Sequence, residues 1–369
     1  MSTVTIHPSR RLLLAAAALS GLALPVRAHH GVRHLRVGFV NPGRASDRFW
    51  QMSDLAMRAA AKRFQITLLT GYAERDRQRV LSLGHEILAQ QPDYMIIVNE
   101  HRTAAPLMAA AQAAGVPAIL AFSGLAAEDL ALLGRPRERS PLFLGSLLAD
   151  NAGAGAAMAE ALVADCRRRA SGKGPVPLLA LGGITATPAA QERLDGLHRV
   201  LAADGDARLL DQVAVNWSRE EARDRTLSLL RRQPQTQGIW CANDDMALGA
   251  MDAAITMGRT PGQDLSIIGL NWQEDALREV AAGRMVLSMG GHFLLGAWAL
   301  AWLRDHAEGL DFANAGGTEQ YLALAPLTRD QVGPYLARFG EDGWTRIDFN
   351  RLRQHQGRYD LRVGSVLTV

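Results

Sequence analysis

From residue 35 the chain alternates short continuous apolar runs with longer amphipathic stretches. Runs at 35–40, 66–70, 94–98 and 117–122 predict strands, while 49–64, 76–90 and 104–114 carry apolar residues at helical spacing. Strands that are apolar throughout are buried on both faces, and helical connections of this length place them in parallel sheets. The pattern then restarts. A strand at 142–145 leads to a helix at 151–165, and strands at 177–181, 209–215, 238–242 and 265–270 alternate with helices at 189–203, 219–232 and 245–257. Two α/β sets of similar size are therefore predicted, each a doubly wound parallel sheet.

The two ends depart from this pattern. Residues 1–28 read as a signal peptide: Arg10-Arg11 precede a short apolar stretch, and Val26-Arg27-Ala28 offers a small-residue cleavage site. Paired arginines point to the twin-arginine route and an exported, periplasmic protein; the alternative is a general secretory signal. This segment holds three of the 40 basic residues and none of the 37 acidic ones, so the remainder is charge-balanced. A near-neutral chain has no broad electrostatic reason to bind nucleic acid. His29-His30 would begin the mature chain. The tail 329–369 is a C-terminal extension expected to pack on a lobe surface, with 359–363 as a short alternating strand.

Chemistry is concentrated around residue 243. An apolar run, Trp240-Cys241-Ala242, ends at Asn243, followed by Asp244-Asp245 and small residues at helical spacing. This reads as a strand, a polar tip, and a helix that Asp244 or Asp245 caps. Asn243 is thereby left at the carboxyl end of a strand, where open α/β sheets bind ligands. The wording resembles the Asn-Asp-x-x-Ala-x-Gly signature of the type I periplasmic binding proteins, the ribose- and galactose-receptor family whose fold the lactose-repressor core shares. The resemblance covers about residues 35–328. It implies two doubly wound lobes joined by three crossover segments: 35–147 with 289–315 in the first, 148–288 in the second, and 316–328 as the third crossing. Residues 283–288 look like the strand that crosses back to the first lobe.

The resemblance also implies a ligand site between the lobes. Trp50 follows the first strand where the family has an aromatic pair; Trp50 is assigned to the cleft and Phe49 to the core. Trp217 follows another strand, at a family aromatic position, with helix-start packing as the alternative. Arg193, in Gln191-Glu192-Arg193-Leu194-Asp195-Gly196, matches the family's ligand-binding arginine; its planar fork holds two oxygens at once. Asn99 ends a first-lobe strand and is preferred to its neighbours Glu100 and His101. Phe122-Ser123 stand where sugar receptors present a charged pair. Asn271 replaces the family's aspartate, so the site both donates and accepts there. His292 lies near a family glutamine position; a helix-start histidine is the alternative.

Motifs for other chemistry are missing. There is no P-loop, His-Glu-x-x-His, Cys-x-x-Cys or Gly-x-Ser-x-Gly. Gly153-Ala154-Gly155-Ala156-Ala157-Met158 imitates a dinucleotide loop but reads as helix packing. Cys166 beside three arginines and Cys241 in a strand read as incidental small residues. No enzyme activity, cofactor or metal is expected. The resemblance implies a receptor that captures a small polar ligand, a sugar or sugar-like molecule, and delivers it to the permease of an ABC importer. The alternative partner is a membrane sensor protein.

Overall fold

The computed structural model describes residues 34–170, 174–339 and 343–364. The signal-peptide reading of 1–28 and the His29-His30 pair lie outside the described residues.

The first sheet forms from β1 (Leu35–Asn41), β2 (Ile66–Tyr72), β3 (Tyr94–Val98), β4 (Ala118–Phe122) and β5 (Phe143–Ala149). Between them run α1 (Arg48–Phe64), α2 (Arg77–Leu88), α3 (Ala104–Ala113) and the short α4 (Ala127–Leu133). Alternation along β3 shows why both faces are apolar: Ile96 and Val98 join the core that includes α1, while Met95 and Ile97 join the core under α2 and α3. The strand expected at 142–145 is β5, and it pairs in parallel with β4. It therefore ends the first set rather than opening the second.

The second set follows: α5 (Asn151–Arg169), β6 (Val176–Gly182), α6 (Pro188–Ala203), β7 (Ala207–Ala214), α7 (Arg219–Arg232), β8 (Gly238–Cys241), α8 (Asp244–Thr256), β9 (Ser266–Leu270), α9 (Glu274–Ala281) and β10 (Ser288–Gly290). The chain then returns to the first lobe, where α10 (Leu295–Ala307) packs beside α1. Two short strands, β11 (Glu319–Leu322) and β12 (Ala325–Leu327), finish the sheets. The orders are β11-β5-β4-β3-β1-β2 and β12-β10-β9-β8-β6-β7. All pairings are parallel except β10 with β12. The chain thus passes between the sheets three times. The strand expected to cross back at 283–288 is instead β10, inside the second sheet beside β9; the crossing comes at Gly291.

Small residues let the second lobe close up. A Cβ on Gly155 of α5 would sit 2.0 Å from the Arg193 carbonyl oxygen of α6. This close approach accounts for the glycine-rich run at 153–158 and brings Arg193 down onto the start of α5. Cys166 and Cys241 are both free and buried. Burial pushes the Cys166 thiol up to about 11 and raises Cys241 well above its ordinary value, so the adjoining arginines do not activate Cys166.

The extension packs on both lobes rather than one. Helix α11 (Arg329–Phe339) lies against α9, and the 3-10 turns Gly343–Arg346 and Phe349–Leu352 lie against α1. Asp305 of α10, fully buried, anchors the last stretch by accepting from Arg353 Nε at 2.6 Å, the Gln354 amide at 2.8 Å and the Tyr359 hydroxyl at 2.8 Å. Residues 359–363 are not a strand. They pair with no strand among the described residues, and Arg362 pairs with Asp360 at 2.8 Å.

Candidate functional site

The strand ends of both sheets face each other across one cleft. It encloses about 650 Å³, counted out to its mouth, within the ~300–1,000 Å³ of small-molecule sites. Of the residues expected there, Trp50, Arg193, Trp217, Asn243, Asn271 and His292 line it; Asn99 does not. Asn99 is fully buried, with Nδ2 donating to the Gly124 carbonyl at 2.8 Å and Oδ1 accepting from the Ala104 amide at 3.4 Å. Its amide holds the β4 exit to the start of α3. The next residue, Glu100, lines the cleft in its place.

Arg193 is the polar centre of the second-lobe wall. Pro188 opens α6, where its fixed φ suits the first turn, and Arg193 points back beneath that start. Its Nε donates to Asn151 Oδ1 at 3.0 Å and Nη1 to the Ala242 carbonyl at 2.7 Å; Nη2 meets His292 Nε2 at 3.3 Å. The guanidinium lies 5.5 Å from the Trp217 ring centroid, a cation–π contact. Burial draws its pKa down to about 10 against the pull of Glu192 and Asp244, so it stays charged. His292 is held neutral, because burial and then Arg193 depress its pKa well below the usual value. Its Nδ1 is buried with no partner among the described residues.

Asn243 lines the cleft at the end of β8. It is the N-cap of α8: Oδ1 accepts from the Met246 amide at 2.8 Å. This corrects the assignment of the cap to Asp244 or Asp245. Asp244 is instead fully buried, accepting from the Gln273 amide at 2.9 Å and the Ser288 hydroxyl at 2.8 Å, which ties β8 to the ends of β9 and β10. Burial raises its pKa to about 7 despite those donors. Asp245 lines the cleft, its carboxylate accepting from Gln273 Nε2 at 2.9 Å; burial raises its pKa as well.

The first-lobe wall is aromatic. Trp50 lies 5.2 Å from the Phe122 ring and 5.0 Å from Phe49. Phe49, expected in the core, lines the cleft and stacks on His292 at 4.5 Å. Arg75 pairs with Asp47 at 2.8 Å on the same wall. Phe122 and Trp217 hold φ of 71° and 62°, costly for bulky residues and typical of positions whose side chains are aimed at a site. Trp217 leans over Gly183, where a Cβ would lie 2.1 Å from the indole.

Several lining residues escaped the sequence reading: Asp47, Arg75, Asn151, Thr187 and Asp245. Asn151 opens the helix after β5, a strand-exit position like that of Asn243. That signal was present and unused. Nothing in the sequence marked Asp47 and Arg75, which meet only because two loops converge.

The chain has clear relatives. The model of a family described as periplasmic binding protein domain matches residues 37–311. A xylitol-binding protein from Mycolicibacterium smegmatis is 30% identical over 230 residues, 61% of this chain and 59% of that one. A ribose import binding protein from Bacillus subtilis is 25% identical over 221 residues, 60% of this chain and 64% of that one. Each match thus spans less than two thirds of the curated relative. A solved periplasmic sugar-binding protein from Pseudomonas fluorescens superposes with a TM-score of 0.80 at 34% identity, over 90% of this chain and 100% of that one. With two parallel-sheet lobes, three crossings and one cleft between strand ends, the chain belongs to the periplasmic binding protein family of the type I fold.

Proposed function

We propose that this protein is an exported solute receptor that captures a sugar or polyol between its lobes and delivers it to an ABC importer. The observation that carries this reading is the cleft itself. The rings of Phe49, Trp50 and Phe122 line one side of it, and Arg193, Asn243 and Asn271, with Trp217 against Arg193, line the other. Aromatic faces suit the C–H faces of a sugar, and fixed donors and acceptors suit its hydroxyls, each of which costs about 1–3 kcal/mol if buried unpaired. The backbone amide of Asn271 donates to the Met289 carbonyl at 2.7 Å, and its side-chain amide, on the cleft wall, suits such a hydroxyl. The xylitol-binding and ribose import binding relatives support the ligand class and the importer. A ligand touching both walls holds the lobes closed. Binding without turnover follows the family, and no reacting group is assigned in the cleft.

Two experiments test the reading. Mass spectrometry of small molecules released from natively purified protein should find an intact sugar or polyol. Calorimetry with D-ribose, xylitol and D-allose should show binding by at least one; enzymatic conversion, or binding of none, counts against it. The export route belongs to the same proposal. Replacing Arg10 and Arg11 with lysine should abolish periplasmic mature protein in fractionated cells, and undiminished export would refute the twin-arginine assignment.

A further inference from the structure

Charged side chains on the cleft wall are paired within the protein, with one exception. Asp47 is bound to Arg75, Asp245 to Gln273, and Arg193 to Asn151 and the Ala242 carbonyl. Glu100 is 8% exposed and lines the cleft, yet its carboxyl makes no hydrogen bond or ion pair with any described residue. The loop that carries it is otherwise tied down: the Glu100 carbonyl accepts from the Thr103 hydroxyl at 2.7 Å and the Thr103 amide at 3.1 Å. The charged and titratable groups around it come from every side of the cleft. Asp47 and Arg75 lie on its own wall and His101 beside it in sequence; Asp245, Arg193 and His292 lie on the second lobe and the crossover.

We propose that Glu100 couples ligand capture to proton uptake: as the lobes close around the ligand, its carboxyl takes a proton from solvent and engages a ligand hydroxyl as a neutral group. This rests on the sugar-receptor reading. In an open cleft, water solvates a carboxylate at this position. Closure removes that water, and the acids Asp47 and Asp245 on the cleft walls offer the carboxylate no counter-charge. A sugar hydroxyl is neutral and supplies no counter-charge, while desolvating an uncompensated carboxylate is costly. The protonated carboxyl both donates and accepts, as a hydroxyl does. The electrostatics of the cleft agree: burial pushes Glu100 up to about 7, Arg75 opposing and Asp47 reinforcing. An acid whose pKa is higher closed than open binds more protons closed. Closure and affinity therefore strengthen as pH falls through 7.

The test is calorimetry of whichever of D-ribose, xylitol and D-allose binds the full chain, at pH 6 and 8 and in two buffers of different ionisation heat. If the open cleft leaves Glu100 at its ordinary 4.5 and the ligand-bound cleft holds it at about 7, affinity should be about tenfold higher at pH 6 than at pH 8, with close to one proton taken up per ligand at pH 6. Glu100→Gln should lose both the pH dependence and the proton uptake. Equal wild-type affinities at the two pH values, proton release, or an unchanged pH profile in Glu100→Gln would overturn the proposal. If none of the three sugars binds, the sugar reading fails, and the proposal is judged on the ligand-free protein. Small-angle scattering should then give a smaller radius at pH 6 than at pH 8, a difference absent in Glu100→Gln; equal wild-type radii overturn it.

Discussion

On the second lobe, Arg193, Asn243 and Trp217 are each held by protein partners before any ligand arrives; on the first lobe, Trp50, Phe49 and Phe122 offer ring faces and Glu100 is left unpartnered. The difference lies in how each wall is made. The second wall is assembled where two helices nearly touch, through Gly155, so its polar groups fall within reach of one another. The rings of the first wall come from the start of α1 and the end of β4, and Phe49 packs edge to face on both Trp50 and Phe122. Binding at a preorganised wall loses little side-chain freedom on ligand arrival. On the proposed reading, one wall would fix where ligand hydroxyls go, while the other would supply contact area and the Glu100 carboxyl. The polar groups of the second wall also hold that wall together.

Removing Arg193 should break this contrast most severely. Arg193→Ala strips donors from Asn151 and the Ala242 carbonyl, both inside the wall. Hydrogen bonds to charged groups are worth about 1.5–3 kcal/mol each, so both stability and affinity should fall, the latter a hundredfold or more. Denaturant unfolding and calorimetry on the same protein measure the two. A variant as stable as wild type would show that the wall is not preorganised through this residue.

Asn243 separates the two roles. Asn243→Ala loses the α8 cap, about 1 kcal/mol of stability, together with its contact to ligand. Asn243→Asp keeps a capping oxygen at a helix N-terminus, where a negative charge is favourable, but removes the donor. The aspartate variant should melt near wild type and still bind about tenfold more weakly; full affinity in it would place the ligand away from Nδ2.

Trp50→Ala tests the first wall, where contact area and not polar geometry is at stake. It should weaken binding about tenfold with a smaller change in binding enthalpy than Arg193→Ala, and calorimetry resolves both quantities. The truncation also leaves a gap against Phe122 and Gly43, so some loss of stability accompanies it. An affinity equal to wild type would leave the first wall without an aromatic platform.

The smallest effect on binding belongs to Asn99. Asn99→Ala frees the Gly124 carbonyl and the Ala104 amide, at about 1–3 kcal/mol in unfolding free energy, and should leave affinity within about twofold. If affinity instead falls with stability unchanged, Asn99 and not Glu100 is the first-lobe polar contact.

Much of this was legible in the residues. Continuous apolar strands and amphipathic connections determined two parallel sheets, because burial on both faces leaves no other economical arrangement for that pattern. The strand-tip asparagine at 243 and Arg193 within α6 were marked by their neighbours in sequence. Tertiary structure decided the rest. Whether Asn99 or Glu100 faces the cleft depends on how the chain turns after β3, where His101 and Arg102 adopt positive φ of 51° and 59°. Whether Asn243 or its acidic neighbours cap α8 depends on which side chain lies over the Met246 amide, since Asp244 is drawn off to β9 and β10. The extension could be seen as an addition, but not that Asp305 would anchor it. Local pattern sets which elements form, since that depends on side-chain period and burial alone. Which polar groups remain free for a ligand depends on which others find partners first, and those partners come from segments far apart in the chain.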